Sequence, residues 1–238
     1  MGLAEGVLSK GRWATWGAFG LNLPKYKSYS SGELVADVSA HVVGVLCGVV
    51  GTFVLMLTAS GGSFALVLGA TLYAIGLLAM LGFSAAYNLW PPSPIKEWLR
   101  RFDHAAIFVM IAGTFTPFLL ARVEGTAAHV LLGVVWAVAV VGVVMKLVYP
   151  RRWEKATVAL YIGLGLSILV VAEQLAQAIS PVSGILLIAG SVTYIAGVAF
   201  HLWERLPYQN AIWHWMVLLA AVLHYSAVLT EVATAAAR

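Results

Sequence analysis

Charge is scarce in this sequence: Asp, Glu, Lys and Arg make up 10% of its 238 residues, against roughly 25% in an ordinary soluble domain. A soluble fold of this length buries about three quarters of its surface and still needs polar cover for the rest. With 61% hydrophobic residues, this chain lacks that cover, so its solvent is the bilayer. Cysteine is nearly absent too. The single Cys47 excludes a disulfide framework and a cysteine-based zinc ribbon. No stretch alternates apolar and polar residues over about 10 positions, which excludes the strands of a membrane barrel. The net charge of +4 does not indicate nucleic acid, because the basic residues fall in the gaps between apolar runs rather than forming a stripe.

What is present is seven apolar runs, each near the roughly 20 residues a spanning helix needs. They are Asp37 to Ala59, Phe64 to Tyr87, Asp103 to Ala121, Ala127 to Tyr149, Lys155 to Ala176, Val182 to Trp203 and Ile212 to Thr234. The expected fold is therefore all-α: an integral membrane bundle of seven transmembrane helices occupying residues 37–234. Residues 1–36 form a cytoplasmic lead and 235–238 an outer tail.

Orientation follows from the lysines and arginines, which are retained on the cytoplasmic side. One face carries Lys10, Arg12, Lys25, Lys27, Lys96, Arg100, Arg101, Lys146, Arg151, Arg152, Lys155 and Arg205; the other has only Arg122 and Arg238. The N-terminus is thus expected inside and the C-terminus outside, in a bacterial inner membrane. Trp90, Trp98, Trp153, Trp203, Trp213 and Trp215 fall at the same inner interface, where amphipathic rings are favoured, whereas Trp136 is mid-membrane. The lead is too polar for a signal peptide, and Gly6 stands where a myristoylation signal needs Ser or Thr. Trp13, Trp16 and Phe19 among its lysines and Arg12 suit an interfacial segment on anionic lipid, with a disordered lead as the alternative.

Ionisable groups inside a bilayer each need an explanation. Most of them converge here on one level. Ser84 and Asn88 close the second run, Asp103 and His104 open the third, His201 lies near the end of the sixth, and Asn210 and His214 open the seventh; Glu33, Asp37 and His41 surround the start of the first. Ser84 and Asn88 share a helix face at four-residue spacing, as do Asn210 and His214. Taken singly, such residues read as helix caps or snorkelling groups. Taken together, they read as a site for a metal, a water or a lipid headgroup. Elsewhere, His224 lies mid-span, as a histidine donating to a carbonyl or a step in a proton relay. Glu173 is solvated or protonated, and His129 is an interface residue. Thr114, Thr116 and Pro117 suit a kink with hydroxyls covering carbonyls, and Gly44 and Gly48 make a GxxxG packing step.

The ordered set Glu33-Leu-Val-Ala-Asp37 with His41, Ser84-Ala-Ala-Tyr87-Asn88, Leu99-Arg-Arg-Phe-Asp103-His104 with Gly113-Thr-Phe-Thr-Pro117, and Ala211-Ile-Trp-His214 with His224 resembles the bacterial haemolysin III proteins of the progestin and adiponectin receptor superfamily. The resemblance covers nearly the whole chain and implies seven spans with the N-terminus inside. It also implies a zinc ion held by a second-span histidine in SxxxH and both seventh-span histidines in HxxxH, with the serine and a third-span aspartate positioning a water. Ser84, Asp103 and His214 match that pattern. Asn88 and Asn210 replace two of the three imidazoles, and Asp37 stands where relatives commonly have Asn.

A carboxamide oxygen is a poor zinc donor beside histidine nitrogen, so tight zinc, another divalent ion or water, and a metal-free hydrogen-bonded cluster all stay open. His41, His104 or His201 as substitute ligands would restore zinc, while the amides with Asp103 suit Mg²⁺ or Ca²⁺. The departures favour a non-enzymatic or weakly enzymatic membrane protein that senses or maintains the lipid state of the bilayer, with membrane lipids as its partners. The alternative is a metal-dependent hydrolase of a lipid amide or ester, with Ser84 and Asp103 positioning water and His214 on the metal. A proton or ion transporter using His224 is third, weakened by the lack of an inverted repeat. A retinal protein is excluded because the seventh run has no lysine.

Overall fold

A computed structural model describes residues 29–149 and 151–237. The expectations for the aromatic lead and for Arg238 lie outside them. The fold is all-α, and no strand occurs among the described residues. Among the described residues, seven helical segments are long and apolar enough to cross a membrane. The first four are α1, Ser31–Ala59, α2, Phe64–Leu89, α3, Pro94–Ala121, and α4, Thr126–Val148. The fifth span is composite: α5, Glu154–Leu166, a 3₁₀ stretch, Ser167–Val171, and α6, Ala172–Ala178. Then come α7, Pro181–Leu202, and α8, Gln209–Ala236.

Helix ends follow side-chain chemistry. Ser30, Ser63, Ser93 and Ser180 each accept a hydrogen bond from a first-turn N–H, which satisfies donors that have no partner inside the helix. Two helices start well before the apolar runs that announce them, α1 by six residues and α3 by nine. Their polar first turns are amphipathic, and hydropathy marks the bilayer rather than the helix. The fifth span departs from its expected continuous helix: Gly163, Gly165 and Ser167, followed by β-branched Ile168, Val170 and Val171, weaken the α-ladder, and the Ser167 hydroxyl donates to Leu164 O at 2.6 Å.

α1 packs on α2 and α8, α2 on α3, α3 on α4, and α7 on α8. The third span is the most buried. Tyr73, Phe108, Leu55 and Leu119 fill the interior, while Val50, Phe53, Phe64, Val170 and Ile188, each more than 60% exposed, form the lipid-facing exterior. α3 stays helical through Pro117. The Thr114 and Thr116 hydroxyls donate to Met110 O and Ala112 O, beside the Gly113 carbonyl that Pro117 leaves without its usual donor, and Trp136 Nε1 donates to Thr116 at 3.1 Å.

Glycine sets the closest helix contact. A Cβ on Gly69 would lie 2.8 Å from Pro117 Cα, one on Gly76 2.9 Å from Met110 Cα, and one on Gly113 2.8 Å from Leu72 O, so α2 and α3 meet backbone to backbone. Gly44 and Gly48 face only leucine side chains. Gly76→Ala should lower the thermal midpoint in detergent by the cost of overpacking, about 1–3 kcal/mol, whereas Gly82→Ala on the same helix, with open space around it, should leave it unchanged.

Candidate metal centre

The Ser30–Glu33 capping box fixes where α1 begins: Glu33 N–H donates to Ser30 Oγ, and the Glu33 carboxylate accepts from Ser30 N–H at 2.8 Å. Its other oxygen accepts from Tyr208 N–H at 3.0 Å and ties this turn to the start of α8. Glu33 is thus held by capping and by the α7–α8 connection. One and two turns further on, Asp37 and His41 share the face of α1 that packs on α2 and α8, and they are 8% and 6% exposed.

Asp37 is the hub. Its Oδ1 lies 2.5 Å from His214 Nδ1, and because an ionised carboxylate only accepts, that nitrogen carries the proton and donates. Its Oδ2 accepts from Asn210 Nδ2 at 3.2 Å. Asn210 also reaches Asn88 Oδ1 at 3.5 Å, and Asn88 Nδ2 donates to Ser84 O at 2.9 Å. The two amides therefore support Asp37 and each other across α2 and α8. His41 stands with its ring centroid 4.3 Å from that of His214. Its Nε2 is 3.7 Å from Asp37 Oδ2, outside hydrogen-bond reach, and is buried without a hydrogen-bond partner among the described residues.

Ser84 and Asp103 lie in α2 and α3, and the charges of His41 and Arg100 act on the Asp103 carboxylate. Other residues stand apart. His104 belongs to no donor set with Asp37, and its carbonyl accepts from the Tyr161 hydroxyl at 2.7 Å. His201 packs on the Trp213 ring at 4.9 Å between centroids. His224 Nε2 meets Leu187 O at 3.2 Å and Ser191 Oγ at 3.5 Å, a satisfied interhelical contact. Glu173 and His129 are exposed.

A shallow cleft with room for about one water reaches Asp37 from the end of the bundle that carries the basic residues, lined also by Tyr29, Glu33, Tyr208 and Asn210. It is far smaller than a small-molecule pocket and admits water or an ion. Partial burial, then the Asp37 carboxylate, pushes the Tyr29 phenol above its ordinary pKa, so it guards this entrance as a neutral hydrogen-bonding group.

Asp37, His41 and His214 each offer one donor atom, all within 4.8 Å of one another. Two imidazoles and a carboxylate are a common zinc set, and the partnerless His41 Nε2 is the kind of buried nitrogen that a metal satisfies. Donors on one tetrahedral zinc lie roughly 3.3 Å apart given Zn–N and Zn–O bonds near 2.0–2.1 Å. Asp37 and His214, at 2.5 Å, share a proton that a metal would displace. The residues fit the ion, drawn from α1 and α8 instead of the α2 and α8 histidines the resemblance implies.

Three further residues escaped the sequence reading. Glu231, 2% exposed, pairs with Arg122 Nε at 2.9 Å near the opposite end of the bundle. Lys146, also 2% exposed, counted only as a topology charge. Buried Arg100 pairs with Glu154 of α5. A lone charge within an apolar run was the available signal for Glu231, and an arginine isolated on the charge-poor side was its counterpart.

Residues 33–225 match the Haemolysin-III related family. Hemolysin-3 of Bacillus cereus is 32% identical over 198 residues, covering 83% of this chain and 90% of the relative. The Hemolysin-3 homolog of Bacillus subtilis (strain 168) is 31% identical over 187 residues, covering 78% of this chain and 88% of the relative. The human monocyte to macrophage differentiation factor is 26% identical over 166 residues, covering 67% and 68%.

Proposed function

The chain belongs to the Haemolysin-III related family of multi-pass membrane proteins, and from that premise we propose that it is a zinc-dependent hydrolase of a lipid amide or ester, working near the cytoplasmic face of a bacterial inner membrane. The observation that carries this reading is the Asp37, His41 and His214 donor set. Asn88 and Asn210 argued for a non-enzymatic protein because two imidazoles were gone. Asp37 and His41 supply replacements, and the carboxamides become their supports. The charge-rich end of the bundle marks the cytoplasmic side.

Zinc held at this site supplies a water acidified to near neutral pKa and a Lewis acid for the scissile carbonyl. The protein's own residues do the rest. Ser84 orients the Asp103 carboxylate, which takes the proton of the attacking water as general base. Asp37 holds the His214 ring in place, and Asn210 holds Asp37. The cleft beside Asp37 and Asn210 gives water its route.

Chain purified in detergent without chelator should carry one zinc per protein by elemental analysis, and should cleave a short-chain ceramide or a lysolipid ester. Asp103→Asn should keep the zinc and lose about 10²- to 10⁴-fold in turnover, the usual worth of a general base. The second reading is a protein that senses or maintains the lipid state of the bilayer without turnover, and the cleft favours it, being too small to seat a lipid. Bound zinc with no cleavage of either substrate, and an altered lipid response in Asp103→Asn, selects that reading over hydrolysis.

A further inference from the structure

A second group of polar side chains lies away from the Asp37 site, where the basic ends of α3, α4 and α5 meet. Lys146, in the last turn of α4, is 2% exposed, and its Nζ has no hydrogen-bond partner among the described residues. An ammonium buried without a partner costs several kcal/mol. Arg101 lies alongside. Its Nη1 donates to Leu147 O at 2.9 Å, its guanidinium stacks 4.2 Å from the Trp98 ring centre, and its Nε is buried without a hydrogen-bond partner.

The acids nearby are committed to other cations. Glu154 pairs with Arg100, and Glu97 takes both Nη2 and Nε of Arg151, at 2.8 and 3.3 Å. Two cations, Lys146 and Arg101, are left in excess, each with a buried N–H donor that meets no acceptor among the described residues. Half-exposed Trp98 and Trp153 flank the corner, which places it at headgroup depth, where aromatic rings gather. Basic pockets between spans at this level suit anionic headgroups.

We propose that this corner binds a phosphate group, supplied by the headgroup of an anionic lipid, with Lys146 as its central cation and Arg101 as its second donor. Arg100 is held by Glu154 at the side of the site, and the Trp98 ring fixes Arg101. A phosphate diester carries one negative charge and unshared oxygens for two donors, so it offsets half of that excess while giving each cation an acceptor.

The test uses the full chain in detergent, with added phosphatidylglycerol, phosphatidylcholine or inorganic phosphate, read by thermal midpoint and by lipid retained in native mass spectrometry. Phosphatidylglycerol should raise the midpoint and survive exchange against excess phosphatidylcholine, and Lys146→Met should bind it at least about tenfold more weakly, a loss of about 1.4 kcal/mol. Equal protection by inorganic phosphate, lost in the same variant, supports the phosphate site and assigns it a soluble source. If Lys146→Met does not fold, Lys146→Arg should retain the lipid and Arg101→Gln should release it. No protection by either phosphate compound, or retention unchanged in Lys146→Met or Arg101→Gln, overturns the proposal.

Discussion

Asp37→Asn should cost the protein its zinc while leaving the bundle folded. The asparagine Oδ1 still accepts from His214 Nδ1–H, and its Nδ2 takes no new buried volume, so the contacts at 2.5 Å to His214 and 3.2 Å to Asn210 change in chemistry more than in shape. What disappears is the charge, and with it the only anionic donor of the three. Metal affinity should fall by 100-fold or more, beyond the 10- to 100-fold typical of losing an outer-shell partner. Titration with zinc in a competing chelator reads this directly, and the native protein should release about one proton per zinc bound, the one now shared between Asp37 and His214. Rescue sharpens the result. Asn88 and Asn210 reach one another at 3.5 Å, and Asn210 reaches Asp37, so Asn88→His with Asn210→His in the Asp37→Asn background should restore zinc through three imidazoles. Equal zinc affinity in the native protein and Asp37→Asn would remove Asp37 from the ligand set.

The spans were legible because each obeys one strong rule, about 20 apolar residues between polar ends. The same rule is blind to where a helix begins: Ser30 and Ser93 start α1 and α3 inside polar sequence that hydropathy discards. The break in the fifth span escaped for a related reason, since Gly163, Gly165 and Ser167 lower hydropathy little while lowering helix propensity. In the site, four-residue spacing put Ser84 with Asn88 and Asn210 with His214 on common faces, and it named Asp37 and His41 as neighbours of the group. It did not make Asp37 the hub. That depends on how α1 docks between α2 and α8, a tertiary fact no local spacing contains. Lys146 shows the opposite error. A lysine near a span end was taken for a topology charge, and only packing reveals that its amine is buried without a hydrogen-bond partner among the described residues.

Glu231→Gln should be the most destabilising conservative change in the chain. Glu231 sits two turns past His224 toward the end of α8 away from the basic residues, 2% exposed, with its carboxylate 2.9 Å from Arg122 Nε and its Oε1 accepting from Ser180 N–H at 2.9 Å. Arg122, just past the end of α3, also donates to Ala178 O at 3.0 Å. One carboxylate thus joins three segments: the end of α3, the turn between α6 and α7, and α8. Removing its charge leaves the Arg122 guanidinium in an apolar surround, and breaking a buried pair from one side costs about 3–5 kcal/mol. Thermal unfolding in detergent should therefore show a large fall in midpoint for Glu231→Gln and for Arg122→Gln, each by a similar amount. The double variant Arg122→Leu with Glu231→Leu separates the pair from its packing: with no charge stranded, most of the loss should return. A single variant that unfolds at the native temperature would mean that water already reaches the pair from the membrane surface. Zinc content should be unchanged throughout, because the ion pair and the Asp37 group lie toward opposite ends of α8, and stability at one end leaves the donor geometry at the other intact.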